Sequence, residues 1–279
     1  MIRSILRIYD LETDSTRTVF ETERLIEAPN WTCGGRLIVN GDGRIYSVPM
    51  DAPRLVALET GFATACNNDH GVSPDGRTLA ISDKSRTAGL SCIYTLPLEG
   101  GTPRRLTERV PSWWHGWSPD GSRVAYTARR EGRFDVYTQA LAGGEETRIT
   151  RDLGHCDGPD YTPDGEWIWF NADGTGHAQL WRIRPDGRDA ERMTQDDRVN
   201  WFPHPSPDGA HVLYVSYPPG TQQHPRDIPV ELRLMPAAGG APRTLLNLLG
   251  GQGTINVPCW APDGRSFAFM SYNAPGEAE

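Results

Sequence analysis

One short element constrains this chain more than any other. Pro-Asp-Gly recurs as SPDG at 73–76 and 118–121, TPDG at 162–165, SPDG at 206–209 and APDG at 261–264. Its aspartates, Asp75, Asp120, Asp164, Asp208 and Asp263, are spaced by 45, 44, 44 and 55 residues. A sixth, worn copy lies at 31–39: setting Trp31 on Trp117 and Trp260 brings Gly35 onto Gly121 and Gly264, with the Pro and Asp lost. A fixed period of this length marks a repeat architecture, in which each unit buries its apolar face only against its neighbours. Pro presets φ and Gly accepts a positive φ, so Pro-Asp-Gly reverses the chain tightly between two strands.

Each unit follows one script. An aromatic or apolar residue precedes the turn, an alternating strand such as RVAYTA at 123–128 follows, and a polar loop leads to a second strand such as FDVYTQAL at 134–141. A Gly-Gly turn and a short strand ending in RLT or RIT complete it. Four strands per unit of this length is the signature of a propeller blade, and the whole reads as an all-β, six-bladed β-propeller. The thirty glycines and twenty-three prolines suit so many turns.

The closure is legible at the ends. The final unit makes only two strands before the sequence runs out near Tyr272, while residues 5–20 align with the later part of a blade: Leu6 falls on Val136, Leu11 on Leu141 and Val19 on Ile149. N-terminal strands are therefore expected to pair with C-terminal strands and remove the open sheet edges. This predicts a single domain over 1–279, with blades near 21–60, 61–107, 108–150, 151–194, 195–246, and 247–279 joined by 1–20.

These repeats resemble the TolB-type propeller family, whose WD40-like PD40 units carry SPDG, an aliphatic-aromatic strand, DIY, GG and RLT in that order. The resemblance covers nearly the whole sequence. It implies the six-bladed fold and, by analogy with TolB, a protein partner on one propeller face.

Composition narrows the partners. A net charge of −8 argues against nucleic acid, whose binders gather Lys and Arg against phosphate. No segment approaches the roughly 20 apolar residues that span a bilayer, and the N-terminus reads as carrying no export signal. The five cysteines are widely separated, without a CxxC pair, which fits reduced thiols and a cytoplasmic location. There is no GxSxG elbow, so the chain is not a serine peptidase.

Propeller topology places two sets of loops on one face. The segments entering the innermost strands read NNDHG (67–71), PSWWHGW (111–117), GHCDGPDY (154–161), NWFPHP (200–205), GGQGTINVPCW (250–260) and APNW (28–31). The second set holds DKSR (83–86), RREGR (129–133), NADGTGH (171–177) and an enlarged loop over 217–227, placed to act as a lid. Six of the seven histidines, His70, His115, His155, His177, His204 and His224, fall in these segments, and His211 lies in a strand. Imidazole titrates near neutrality and binds transition metals, so a small polar ligand is expected in the central funnel. Asn68, Asp69, Trp114, Asn200, Trp201, His224, Gln252 and Asn256 are the candidate ligand-binding residues. Solvation of a wet channel is the plain alternative for each histidine, and packing between blades is the plain alternative for each aromatic.

The funnel is similar, more distantly, to that of the oligogalacturonate lyases, propellers that hold manganese through His and Gln and abstract a proton beside a carboxylate. That similarity implies a sugar or uronate ligand, metal-assisted lyase or hydrolase chemistry, and a divalent ion (Mn, Ca or Zn) on His115, His155 and His204. His70 or Asp157 would be the catalytic base. The other reading is a non-enzymatic interaction scaffold of the TolB type.

Overall fold

The computed structural model describes residues 3–273, and they form six sheets with no helix among them. Five blades have four antiparallel strands running outward from the axis in chain order. Blade one comprises Glu27–Trp31, Arg36–Gly41, Arg44–Pro49 and Val56–Ala57; blade two Cys66–Val72, Thr78–Asp83, Cys92–Pro97 and Arg104–Arg105. Blade three comprises Ser112–Trp117, Arg123–Arg130, Arg133–Ala140 and Thr147–Arg148; blade four Cys156–Tyr161, Ile168–Ala172, Gln179–Ile183 and Glu191–Arg192. Blade five is larger, with Val199–Pro205, His211–Tyr217, Arg226–Pro236 and Arg243–Gly251.

Blade six is built from both ends. Arg3–Asp10 lies between Ser15–Thr22 and Ser266–Asn273, in unbroken register from Arg3 opposite Asn273 to Asp10 opposite Ser266. Tyr9 stacks on Phe267 at 5.2 Å, so one aromatic pair ties the first strand to the last. Here the expectation of four strands is met only in part. The innermost strand shrinks to the single bridge between Trp260 and Phe267. Pro258 has no N–H to give to a ladder, and the backbone before it turns through Gly251 and Gly253 in the left-handed region.

The turn residues lock each blade locally. In blade two Ser73 Oγ donates to Asp75 Oδ1 at 2.5 Å and accepts from Thr78 N at 3.0 Å, and Gly76 N donates to Ser73 O at 2.8 Å. Ser118, Thr162 and Ser206 make the same bond to Asp120, Asp164 and Asp208. Between blades, Trp117 Nε1 donates to Gly71 O at 3.1 Å and Trp260 Nε1 to His204 O at 2.9 Å. The core follows the blade seams: Trp201, Leu213, Val215 and Leu232 of blade five pack with Tyr9, Trp260, Phe267 and Phe269 of blade six. Side chains that alternate across each strand bury both sheet faces against neighbouring blades, which leaves the polar ends for the funnel.

Candidate functional site

Every four-stranded blade has the same irregularity in its innermost strand. Register shifts fall between Glu27 and Asn30, Cys66 and His70, Trp114 and Gly116, Asp157 and Asp160, and Trp201 and His204. A bulge re-aims the side chains beside it. Here it presents the segment just ahead of it to the funnel. Ala28, Gly158 and Phe202 occupy one position in the repeat, four before the turn residue, and all three have positive φ, at 57°, 62° and 54°. Alanine and phenylalanine hold that conformation at a cost of order 1–3 kcal/mol each.

The bulges surround a cavity of about 330 Å³. One wall is aromatic. Trp113 stacks on Phe134 at 5.7 Å, Phe134 on His155 at 4.3 Å, and Phe202 on His115 at 6.0 Å. The facing wall is polar, with Asn67, Asn68, Asp69, Gln252 and Asn256, while Lys84 and Gln223 stand at its margin. Asp69 is held by Asn256, whose Nδ2 donates to Oδ1 at 2.6 Å, and by Asn67, whose Nδ2 donates to Oδ2.

Asp157 is the electrostatic centre. Its Oδ1 accepts from the Thr127 hydroxyl at 2.7 Å and from Gly158 N at 2.8 Å, and His115 Nε2 lies 3.1 Å away. His224 and His155 turn their Nε2 atoms toward Oδ2 at 3.8 and 3.9 Å. Burial alone would push this carboxyl up, but the hydrogen bond and charge of His115, with the charges of His224 and His155, hold it well below the usual carboxylate range. The same contest runs the other way at His115: burial opposes its charge, and the bond to Asp157 with the charges of Asp69 and Asp157 raises its pKa. His224 is pushed down by burial and stays neutral at neutral pH. Its attraction for Asp157 is therefore absent there, which leaves the His115 contact as the close one. Asp69 is raised to about 6, by burial first and by the charge of Asp157, against the pull of His115 and its two amides.

The cavity thus holds two carboxyls whose surroundings drive their pKa values apart, with an imidazole coupled to both. The PD40 model, described as the TolB beta propeller domain, matches residues 110–230. An uncharacterized protein of Agrobacterium fabrum is 49% identical over 273 residues, spanning 97% of this chain and 93% of that protein. A solved TolB-like structure from Agrobacterium tumefaciens superposes with a TM-score of 0.96 at 48% identity, over 98% of this chain and 99% of that one. This chain belongs to the TolB-type β-propeller family. The Tol-Pal system protein TolB of Francisella tularensis is 25% identical over 206 residues, 70% of this chain but 46% of that protein, so the chain spans about half the length of this relative. An oligogalacturonate lyase from Vibrio parahaemolyticus shares the fold at 15% identity and a TM-score of 0.58, over 95% of this chain and 77% of that one.

Within this TolB-type funnel the structure gathers some of the expected residues and sets others apart. Asn68, Asp69, His115, His155, Asp157, His224, Gln252 and Asn256 line the cavity. Trp201 stands behind it, edge-on to His155 and His224 at 5.9 and 4.4 Å. Trp114, expected at the ligand, is fully buried and lies so close over Gly71 that a Cβ there would sit 2.0 Å from its ring. Its role is packing between blades two and three. Asn200 is likewise buried, bonded to Asp196 and Ser216.

His70, expected as base, lies outside the cavity lining. Its Nε2 is 3.5 Å from Ile38 O, and burial pushes its pKa down to about 4. His204, expected with His115 and His155 on a metal, sits deeper, with Nδ1 3.0 Å from Asp160 Oδ2 and Nε2 2.7 Å from Ile255 O. Both of its nitrogens are taken. The loop at 217–227 supplies His224 in its place. These imidazoles converge on the oxygens of Asp157 rather than on an open centre, and among the described residues no group of three or more His, Cys, Asp or Glu is disposed to hold a metal ion. As arranged, the donor set does not fit one.

Trp113, Phe202, Asn67, Lys84, Thr127, Phe134 and Gln223 also line the cavity and were not among the expected ligand-binding, catalytic or metal residues. A signal for the first was present. Trp113 and Asp157 both stand five residues before the turn residue, as do Asn68 and Asn256.

Proposed function

We propose that the upper funnel binds one sugar unit, neutral or uronate, between its two unlike walls. The observation that carries this reading is the cavity of about 330 Å³ with stacked aromatics from blades three to five on one side and the amides and Asp69 from blades two and six on the other. A pyranose has the same division: C–H groups on its ring faces suit an aromatic plane, and its hydroxyls suit amides that both donate and accept. Lys84, at the margin, offers a cation to a uronate carboxylate. Asp69 and the His115–Asp157 pair supply a proton donor and acceptor of different strength, the combination that proton transfer on such a ligand needs. The fold likeness to an oligogalacturonate lyase guides the choice of uronates as probes.

Trp113 makes the test optical. Galacturonate, glucuronate, galactose and glucose are titrated while tryptophan emission is followed. At about −0.3 kcal/mol for each of the roughly 12 non-hydrogen atoms of a hexose, a single sugar is expected to bind with a dissociation constant of about 2 mM. Saturable change with at least one sugar, lost in Trp113→Ala and in Asn256→Ala, is the expected result. No saturable change with any of the four would overturn the reading and favour a protein partner on the propeller face, the role suggested by the Tol-Pal name of the Francisella relative.

A further inference from the structure

Asp157 spends its two oxygens differently. Oδ1 is committed, with Thr127 Oγ1 at 2.7 Å, Gly158 N at 2.8 Å and His115 Nε2 at 3.1 Å. Oδ2 faces His155 Nε2 at 3.9 Å and His224 Nε2 at 3.8 Å, both too long for a direct hydrogen bond. A polar contact of this length leaves room for a bridging atom, and an oxygen set beside Oδ2 and either Nε2 lies within hydrogen-bond distance of both. Nε2 of His155 is buried without a hydrogen-bond partner, a cost that such an oxygen would remove. The rings are not free to turn away. His155 is stacked on Phe134, and His224 meets Trp201 and Phe202 edge-on at 4.4 and 5.3 Å. His155 comes from the entry to blade four and His224 from the enlarged loop of blade five, so the gap exists only because two blades bring their segments to one carboxylate.

We propose that this gap is the recognition point for one hydroxyl of the ligand. The hydroxyl donates its proton to Asp157 Oδ2 and accepts N–H bonds from His155 and His224 on its two lone pairs, with each imidazole carrying its proton on Nε2. The match is in number as well as in distance, because a hydroxyl has one donor and two acceptor positions on a single oxygen. An ether oxygen leaves the carboxylate without a donor. A ligand carboxylate meets the charge of Asp157, and an ammonium turns its hydrogens toward two N–H groups. The inference rests on the sugar reading above and adds what that reading leaves open: which side chains select for a hydroxyl at one ring position.

The probes are whichever of galacturonate, glucuronate, galactose and glucose binds the wild type and each of its monodeoxy derivatives, measured by calorimetric titration on the wild type and on Asp157→Asn. A hydrogen bond to a charged group contributes about 1.5–3 kcal/mol. One ring position is therefore expected at which deoxygenation weakens wild-type binding about 10- to 100-fold and the variant less than about 3-fold, with equal losses in both proteins at every other position. Equal losses at all positions would overturn the inference while leaving the sugar reading intact. If none of the four sugars binds the wild type, the sugar reading itself fails and takes the inference with it. A second measurement needs no variant: ¹⁵N spectra of the wild type are expected to show His155 and His224 protonated on Nε2, and the Nδ1-protonated form of either would contradict the proposal.

Discussion

Replacing Thr127 with valine tests the electrostatic centre with little change in shape. Thr127 is buried, 1% exposed, and its hydroxyl gives the shortest of the bonds to Asp157. Valine fills nearly the same volume and removes only the donor. Because the acceptor is a buried ionised carboxylate, the loss is expected at about 1.5–3 kcal/mol. Unfolding entropy of about 2.1 cal/mol/K per residue gives roughly 0.6 kcal/mol/K for a chain of 279 residues, so the melting temperature should fall by about 3–5 °C. Urea denaturation at pH 7 reads the same change as a lower midpoint at constant slope. Valine at wild-type stability would mean that Asp157 is not a charged acceptor in the folded protein, and the account of the cavity would fail at its centre.

Other outcomes follow from the same geometry. Gly71→Ala places a methyl 2.0 Å from the buried ring of Trp114, where overpacking is expected to cost about 3 kcal/mol; a urea midpoint close to that of the wild type would show that the ring moves freely. Asp69 has a folded pKa of about 6, above the ~3.9 of an unfolded aspartate. The folded state therefore binds the extra proton between these values, and stability falls as pH rises from about 4 to 6, by about 3 kcal/mol in all. Denaturation curves of Asp69→Asn should lack that slope, and a slope equal to the wild type's would assign it elsewhere. Because three Nε2 atoms face Asp157 rather than an open centre, chelation should leave sugar affinity unchanged within about twofold; a loss restored by Mn or Zn would show that the imidazoles regroup around an ion.

The fold was legible because its signals are local and repeated. Asp75, Asp120, Asp164, Asp208 and Asp263 fix the period, and the alignment of Leu6 with Val136 anticipates the strand Arg3–Asp10 that closes blade six. The site was legible only by face. Sequence position assigned His70, His115 and His204 to the funnel mouth, yet a bulge in the innermost strand of each of the first five blades decides which side chains the cavity meets. That bulge has a trace in Pro29, Pro159 and Pro203, three residues before the turn residue, since a strand proline belongs at an edge or a bulge. Five residues before the turn residue, Asn68, Trp113, Asp157 and Asn256 enter the lining, while Glu27 of blade one and Trp201 of blade five, at the same position, stand outside it. His155 and His224 were harder to place, because loops from two blades bring them to Asp157 and no spacing within one repeat records that meeting.

The most direct test is a crystal structure of the wild type soaked with whichever of the four sugars saturates the fluorescence signal. The expected result is a ring face against Trp113 and Phe134, amide contacts from Asn68 or Asn256, and one hydroxyl oxygen within about 3 Å of Asp157 Oδ2, His155 Nε2 and His224 Nε2. A sugar bound outside the funnel, or one inside it whose hydroxyls leave that point unfilled, would contradict it.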